Sequence, residues 1–200
     1  EYESSKRENT LSSELLDKIS LVRVFDPACG SGNFLMICFR ELKRLEKLIK
    51  EYCSEYGIPY EDKDYITTEN FYGIEQNYIA TEVCRIGMAF TALKLERSTK
   101  NIIELPAKTI CNGRALLMDW GAFCPRDTMT YIVGNPPYKG AHSLDEEQQR
   151  EMRAVYAEKI ACGYKIGELD YATGYFYKAS QFIKETNNGF AFVTTNSLTQ

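Results

Sequence analysis

The run Tyr131-Ile132-Val133-Gly134-Asn135-Pro136-Pro137-Tyr138 gathers residue types with one chemical use between them. The amide oxygen of Asn135 can accept a hydrogen bond from an exocyclic amine. A residue before proline is pushed to extended backbone, which keeps Asn135 out of a helix. Pro136 and Pro137 fix φ and carry no N–H, so the loop is stiff and turns carbonyls outward. Tyr138 adds a flat face on which a planar group can stack. This set suits methylation of a planar conjugated amine, a weak nucleophile because its lone pair is delocalised. The Asn135 side chain and the Pro136 carbonyl would hold both N–H bonds and leave the lone pair aimed at an electrophilic methyl. That is catalysis by positioning and electrostatics. A strand ending in a proline-rich turn is the plainer reading, and these residues alone do not choose between the two.

Two further groups bear on the choice. Asp26-Pro27-Ala28-Cys29-Gly30-Ser31-Gly32-Asn33 follows a short apolar run and precedes a helical pattern. Gly30 and Gly32 let a ligand approach the backbone, and the helix N-terminus behind them favours an anionic group such as a carboxylate. Asp26, at the strand end, is placed to face a cationic ligand. The run is not Gly-x-Gly-x-x-Gly and lacks the Lys-Ser/Thr of a phosphate loop, which disfavours a dinucleotide or ATP. Glu75 closes Phe71-Tyr72-Gly73-Ile74-Glu75, where ribose hydroxyls are bound in such folds, and Gln76 follows it. Asp119 could accept from an adenine amine and Trp120 could pack on its ring, although a lone Trp more often packs a core.

These residues need strands that end together and helices that cover them. Leu21-Val22-Arg23-Val24-Phe25 reads as the first strand. Phe34, Met36, Ile37, Leu42, Leu45, Leu48, Ile49 and Tyr52 then recur at helical spacing, up to a stop near Gly57-Ile58-Pro59. A second strand ends at Glu75. Asn77 caps the next helix, spaced by Ile79, Val83, Ile86, Phe90 and Leu93. Residues 102–106 form a connector, 108–111 a third strand and 130–133 a fourth. Residues 139–149 read as a polar loop, in which Ser143 and Glu146 suggest a capping box opening a helix to about residue 160. An aromatic-rich helix over 169–185, with Tyr171 near the site, and a strand over 190–195 complete the pattern. Residues 1–20 form a lead-in with weak helical spacing at Leu11, Leu15, Leu16 and Ile19; residues 21–200 form the main domain. Strands alternating with helices predict an α/β fold with a mostly parallel sheet and sites at the strands' carboxyl ends.

The chain has 200 residues, 44% of them apolar, enough for one domain with a sizeable core. No apolar run approaches the ~18 residues of a membrane helix, and no secretory leader is evident. Seven cysteines lie scattered, without metal-ligand spacing, which points to free thiols in a reduced, cytoplasmic compartment and to no metal site. His142 is the only histidine and has no nucleophile near it in sequence, which disfavours Ser-His or Cys-His catalysis. The net charge of −4 is unusual for a domain that grips nucleic acid unaided. The chain opens on Glu1 and stops just after a strand-like run, so it is expected to be part of a longer protein.

In this order the motifs resemble those of gamma-type DNA adenine-N6 methyltransferases of restriction–modification systems, of the MmeI-like single-chain kind. Val24 to Leu35 is similar to their motif I, Phe71 to Glu75 to motif II, Asp119-Trp120 to motif III and Asn135 to Tyr138 to motif IV. Leu169-Asp170-Tyr171 onward is similar to motif V and Gly189 to Thr199 to motif VI. The resemblance implies the class I Rossmann-like fold, with helices on both faces of the sheet and its last strands beyond these residues. It also implies S-adenosylmethionine (SAM) as cofactor. Asp26, Pro27, Ala28, Cys29, Gly30 and Gly32 would lie at the methionine end, Glu75 would hold the ribose, and Asp119 the SAM adenine amine, with Gln76 and Trp120 nearby. Asn135, Pro136, Pro137 and Tyr138 would act on an adenine flipped out of double-stranded DNA. A recognition domain outside these residues would make most DNA contacts, and a nuclease domain could share the parent chain. No motif X stands ahead of motif I.

Three other readings compete. A release-factor glutamine methyltransferase also carries Asn-Pro-Pro-Tyr, but its motif I reads Asp-x-Gly-x-Gly-x-Gly, which is not found here. An RNA base methyltransferase poses the same amine problem. A catalytically silent scaffold need not keep Asp26, Glu75, Asp119 and Asn135 together.

Overall fold

The computed structural model describes residues 14–95 and 105–194. Leu11, most of the 102–106 connector and the closing residues 195–200 lie outside them. Five strands form one parallel sheet in the order β3-β2-β1-β4-β5: β1 (Val22–Asp26), β2 (Phe71–Glu75), β3 (Ile110–Asn112), β4 (Met129–Gly134) and β5 (Gly189–Phe192). Side chains alternate along a strand. Val22 and Val24 therefore face one layer and Phe25 the other.

On the first face lie α1 (Asn33–Glu55), α2 (Tyr78–Leu95) and a helical stretch over residues 14–20 whose Leu16 and Ile19 join the core. On the second face lie the single turn α3 (Trp120–Phe123), α4 (Glu146–Val155) and α6 (Ala172–Ile183), with the short α5 (Ala157–Ala161) between the last two. Phe25 anchors this second layer, its ring edge-on to Trp120 at 5.1 Å and close to Phe123 and Phe182.

The chain moves outward from β1 to β2 and β3, then returns to β4 on the other side of β1. Such a reversal leaves a crevice at the strands' carboxyl ends, where open α/β sheets bind ligands.

Two helices form where their apolar spacing places them but bury other faces, and a third is capped at a different residue and ends earlier than expected. The stripe Ile79, Val83, Ile86, Phe90 and Leu93 points outward on α2, with Ile79 73% exposed; Thr81, Cys84, Met88 and Ala89 face the sheet. On α1, Ile37, Leu45, Leu48 and Tyr52 are exposed, while Leu35, Phe39, Lys43, Glu46, Lys50 and Cys53 are buried. The buried charges satisfy one another: Glu46 takes Lys43 at 2.9 Å and Lys50 at 2.7 Å, and Lys43 also reaches Asp64 at 2.6 Å. The helix after the Asn-Pro-Pro-Tyr loop is capped by Asp145, not Ser143. Asp145 accepts from the Gln148 amide at 2.9 Å, and the Gln148 side chain accepts from the Asp145 amide at 3.2 Å. The helix stops at Val155, and a second short helix follows.

Candidate active site

β1 ends in Asp26, and the following loop folds back over it. The Ala28 amide donates to Asp26 Oδ1 at 2.9 Å, and the Cys29 amide donates to the Ile74 carbonyl at 3.1 Å. Gly32 opens α1 with φ of 88°, and a Cβ there would stand 2.5 Å from the Cys84 sulfur, so only glycine lets α1 start this close to α2. The space where a Cβ of Gly30 would stand is open to 4 Å. Cys29 is buried, and contact with the Cys84 thiol together with burial pushes its own thiol up, leaving it inert as a nucleophile.

Glu75, at the end of β2, is bound to this loop. One oxygen accepts from the Gly30 amide at 3.0 Å and the other from the Asn77 amide at 2.7 Å. Asn77 caps α2 as expected, accepting from Ala80 at 3.0 Å. Asn112, at the end of β3, donates to the carbonyls of Glu75 and Gln76 at 2.8 and 3.0 Å and so pins the strand end.

Asp26 is 1% exposed, and burial raises its carboxyl to about 7, with the Ala28 amide opposing and the nearby Glu75 adding to the rise. It faces Gly134, the last residue of β4, after which the chain enters Asn135-Pro136-Pro137-Tyr138. Pro136 is buried while Asn135 and Pro137 are exposed. The Tyr138 hydroxyl donates to the Val193 carbonyl just past β5, which holds the ring across the end of the sheet. The Tyr171 amide donates to the Lys139 carbonyl at 2.9 Å, joining the end of this loop to the start of α6.

These elements surround a cavity of ≈ 170 Å³. Pro27 and Ala28 after β1, Glu75 and Gln76 after β2, and Gly113, Arg114 and Ala115 after β3 form one side. Asn135 and Pro137 after β4, with Tyr171 and Tyr175 on α6, form the other. The geometry thus brings together the Gly-rich loop, the β2 acid and the Asn-Pro-Pro-Tyr loop.

It does not bring Asp119 and Trp120 there. Asp119 caps α3, accepting from the Gly121 and Ala122 amides at 2.9 and 3.2 Å, and it borders a different hollow with Lys178 and Tyr177. Trp120 is 3% exposed, and its indole N–H donates to the Ala115 carbonyl at 2.8 Å. Gly113 and Arg114 hold the place at the β3 end instead. The sequence reading missed them; the signal available was the glycine directly after the third strand.

A doubly wound parallel sheet with a Gly-rich first turn, an acid closing β2 and Asn-Pro-Pro-Tyr at the reversal point places this chain among the Rossmann-like methyltransferase folds. It belongs to the MmeI DNA-methyltransferase domain family, whose pattern it matches over residues 2–200. It is 34% identical to DNA methyltransferase A of Bacillus subtilis, over 93% of this chain and 22% of that protein. It is 28% identical to the type II restriction enzyme and methyltransferase RM.Eco57I of Escherichia coli, over 80% of this chain and 18% of that one. Among solved structures, the type IIL restriction-modification enzyme MmeI in complex with DNA superposes with a TM-score of 0.78 at 27% identity, covering 100% of this chain and 28% of MmeI. The chain therefore spans less than a third of the length of these relatives.

Proposed function

We propose that this domain moves a methyl group from SAM to the N6 amine of an adenine in double-stranded DNA, within a restriction–modification enzyme. The observation that carries the reading is the single cavity shared by Glu75 and Gln76 on one side and Asn135 and Pro137 on the other. The MmeI family membership and the DNA methyltransferase relative favour DNA over a release-factor glutamine or an RNA base.

The residues present fit SAM. Open space beside Gly30 admits a ligand against the backbone, and the buried Asp26 carboxyl suits a cation. Asp26 with Pro27, Ala28, Cys29, Gly30 and Gly32 would hold the methionine end, and Glu75 the ribose hydroxyls. Gln76 and the Gly113-Arg114 backbone would border the adenine, in the place the sequence reading gave to Asp119 and Trp120. SAM, when bound, supplies a methyl carried on a sulfonium. The Asn135 side-chain oxygen and the Pro136 carbonyl would accept both N6 hydrogen bonds of the target, and Tyr138 would stack on its ring. To reach them the adenine must leave the duplex.

We place the catalytic portion at residues 21–200, with 1–20 leading into it. Most DNA contacts would come from parts of the parent protein beyond these residues, consistent with the acidic balance here. Relatives named as restriction enzyme and methyltransferase support a parent that also cuts DNA. All seven cysteines are free, which supports a reducing, cytoplasmic setting. No helix among the described residues is long and apolar enough to cross a membrane.

The test is to incubate the full-length parent with labelled SAM and unmodified DNA, digest to nucleosides and look for N6-methyladenine. Label there is the expected result. Label only in a release factor or RNA offered in parallel would overturn the substrate, and label nowhere from a folded, SAM-binding protein would overturn the activity.

A further inference from the structure

The segment between the Asn-Pro-Pro-Tyr loop and α6 carries a buried acid outside the cavity. Glu151 on α4 is 2% exposed and does not line the site. One oxygen of its carboxylate accepts from Arg114 Nη1 at 2.7 Å, and the other accepts from the Tyr171 hydroxyl. Arg114 and Tyr171 both line the cavity and come from different parts of the fold, the β3 end and the start of α6. Arg114 also reaches Glu147 one turn earlier on α4, and the Tyr171 ring packs edge-on against Tyr175 at 5.9 Å. The Tyr171 backbone is tied in turn to Lys139, next to Tyr138.

We infer that Glu151 is a positioning residue: its carboxylate bridges Arg114 and Tyr171 and fixes the β3 wall of the cofactor cavity relative to the wall that continues the Asn-Pro-Pro-Tyr loop. This deepens the reading of the cavity as a SAM and target-base site and rests on it. A buried carboxylate with both oxygens engaged holds its partners in one geometry, and loss of a charge-assisted bond frees them. An arginine released from Glu151 would keep only the solvent-exposed Glu147, a looser tether for a site wall that needs its place fixed to fractions of an ångström. The signal is hard to see in sequence because Glu151 sits among the polar residues of a surface-type helix, Glu146–Val155.

The experiment uses the full-length protein. Glu151→Gln keeps the shape and removes the charge, and Tyr171→Phe breaks the bridge from its other end. SAM affinity is measured by calorimetry well below the melting temperature of each variant. Glu151→Gln is expected to weaken SAM binding about tenfold, the size of one lost charge-assisted hydrogen bond. Tyr171→Phe is expected to shift it the same way, and the double variant to be no weaker than Glu151→Gln, because both changes break one bridge. SAM affinity within about twofold of wild type in folded Glu151→Gln, or additive losses in the double variant, would overturn the bridge. A lowered melting temperature with unchanged affinity is the signature of a purely structural acid and overturns it as well. A folded wild-type protein that does not bind SAM would instead overturn the cofactor reading, and this inference with it.

Discussion

The carboxylate of Asp26 rests against the backbone of Gly134: a Cβ on Gly134 would stand 2.5 Å from Asp26 Oδ1. The two residues close neighbouring strands, so one close contact joins the Gly-rich loop to the loop that begins at Asn135. Gly134 also holds φ of 151°, where an L side chain is strained. Gly134→Ala should cost roughly 2–4 kcal/mol in unfolding free energy from strain and clash together. It should also weaken SAM binding in whatever protein remains folded. Urea titration and calorimetry check both, and a variant with wild-type stability would show that the contact gives way without cost.

Asp26 sets a pH dependence whose sign is fixed. Its carboxyl is raised to about 7, so the fold holds that proton more tightly than the unfolded chain does. The stability this gives is complete below the ordinary carboxyl range and is lost as pH rises towards about 7, with a ceiling of roughly 4 kcal/mol at ~1.4 kcal/mol per pH unit. Asp26→Asn should flatten that slope in urea unfolding across the window.

The same group should tune ligand affinity. A sulfonium beside Asp26 favours the carboxylate, so binding below about pH 7 must expel a proton. SAM affinity is expected to rise through neutrality, and that of S-adenosylhomocysteine, which lacks the sulfonium but keeps the α-ammonium, to rise with a shallower slope. Parallel rising slopes would move Asp26 from the sulfonium to the ammonium that both ligands carry, and level affinity for both would remove it from the cation site.

Asn135→Ala should leave SAM binding within about twofold while lowering methyl transfer by roughly a hundredfold or more, the scale seen when a positioned oxyanion-type hydrogen-bonding group is removed. Single-turnover kinetics on the parent protein separates the two. Transfer at the wild-type rate would show that Asn135 does not hold the amine.

Midway along α1, Glu46→Ala should cost about 3–5 kcal/mol, because it leaves the buried Lys50 without a carboxylate partner and Lys43 with Asp64 alone. Burial pushes the Glu46 carboxyl up, but its bonds to Lys50 and Lys43 outweigh that and leave it below the ordinary value. Its contribution is therefore present above the ordinary carboxyl pKa and fades as pH falls through the lowered one. Thermal melts at acidic and neutral pH should show the variant and wild type converging in acid.

The strand ends were legible in the sequence because glycine and proline interrupt the apolar runs there; Asp26, Glu75 and Asn135 stood out for that reason. Helix position was legible too, but not which face of a helix is buried. On α1 and α2 the apolar spacing was sound, yet the buried faces carry Cys84, Met88 and an ion-paired Glu46, whose charge is neutralised by Lys43 and Lys50 and so reads in sequence as a solvated residue. Asp119 and Trp120 stood out as an acceptor and a ring that could meet an adenine, but a capping carboxylate and a packed indole are local solutions that look the same in sequence as ligand contacts. The Glu151 bridge joins residues 37 and 20 positions away from it, and no spacing rule reaches that far.

The outward stripe on α2 has a practical consequence for anyone expressing these residues by themselves. Ile79, Val83, Ile86, Phe90 and Leu93 lie exposed on one face of α2, and Ile37, Leu45 and Leu48 are exposed on α1, the helix packed beside it. An uncovered apolar surface of that kind makes a protein prone to self-association and precipitation. Light scattering should grow with concentration, and Ile86→Lys with Phe90→Lys, at positions that do not line the cavity, should restore solubility without disturbing the loops around it.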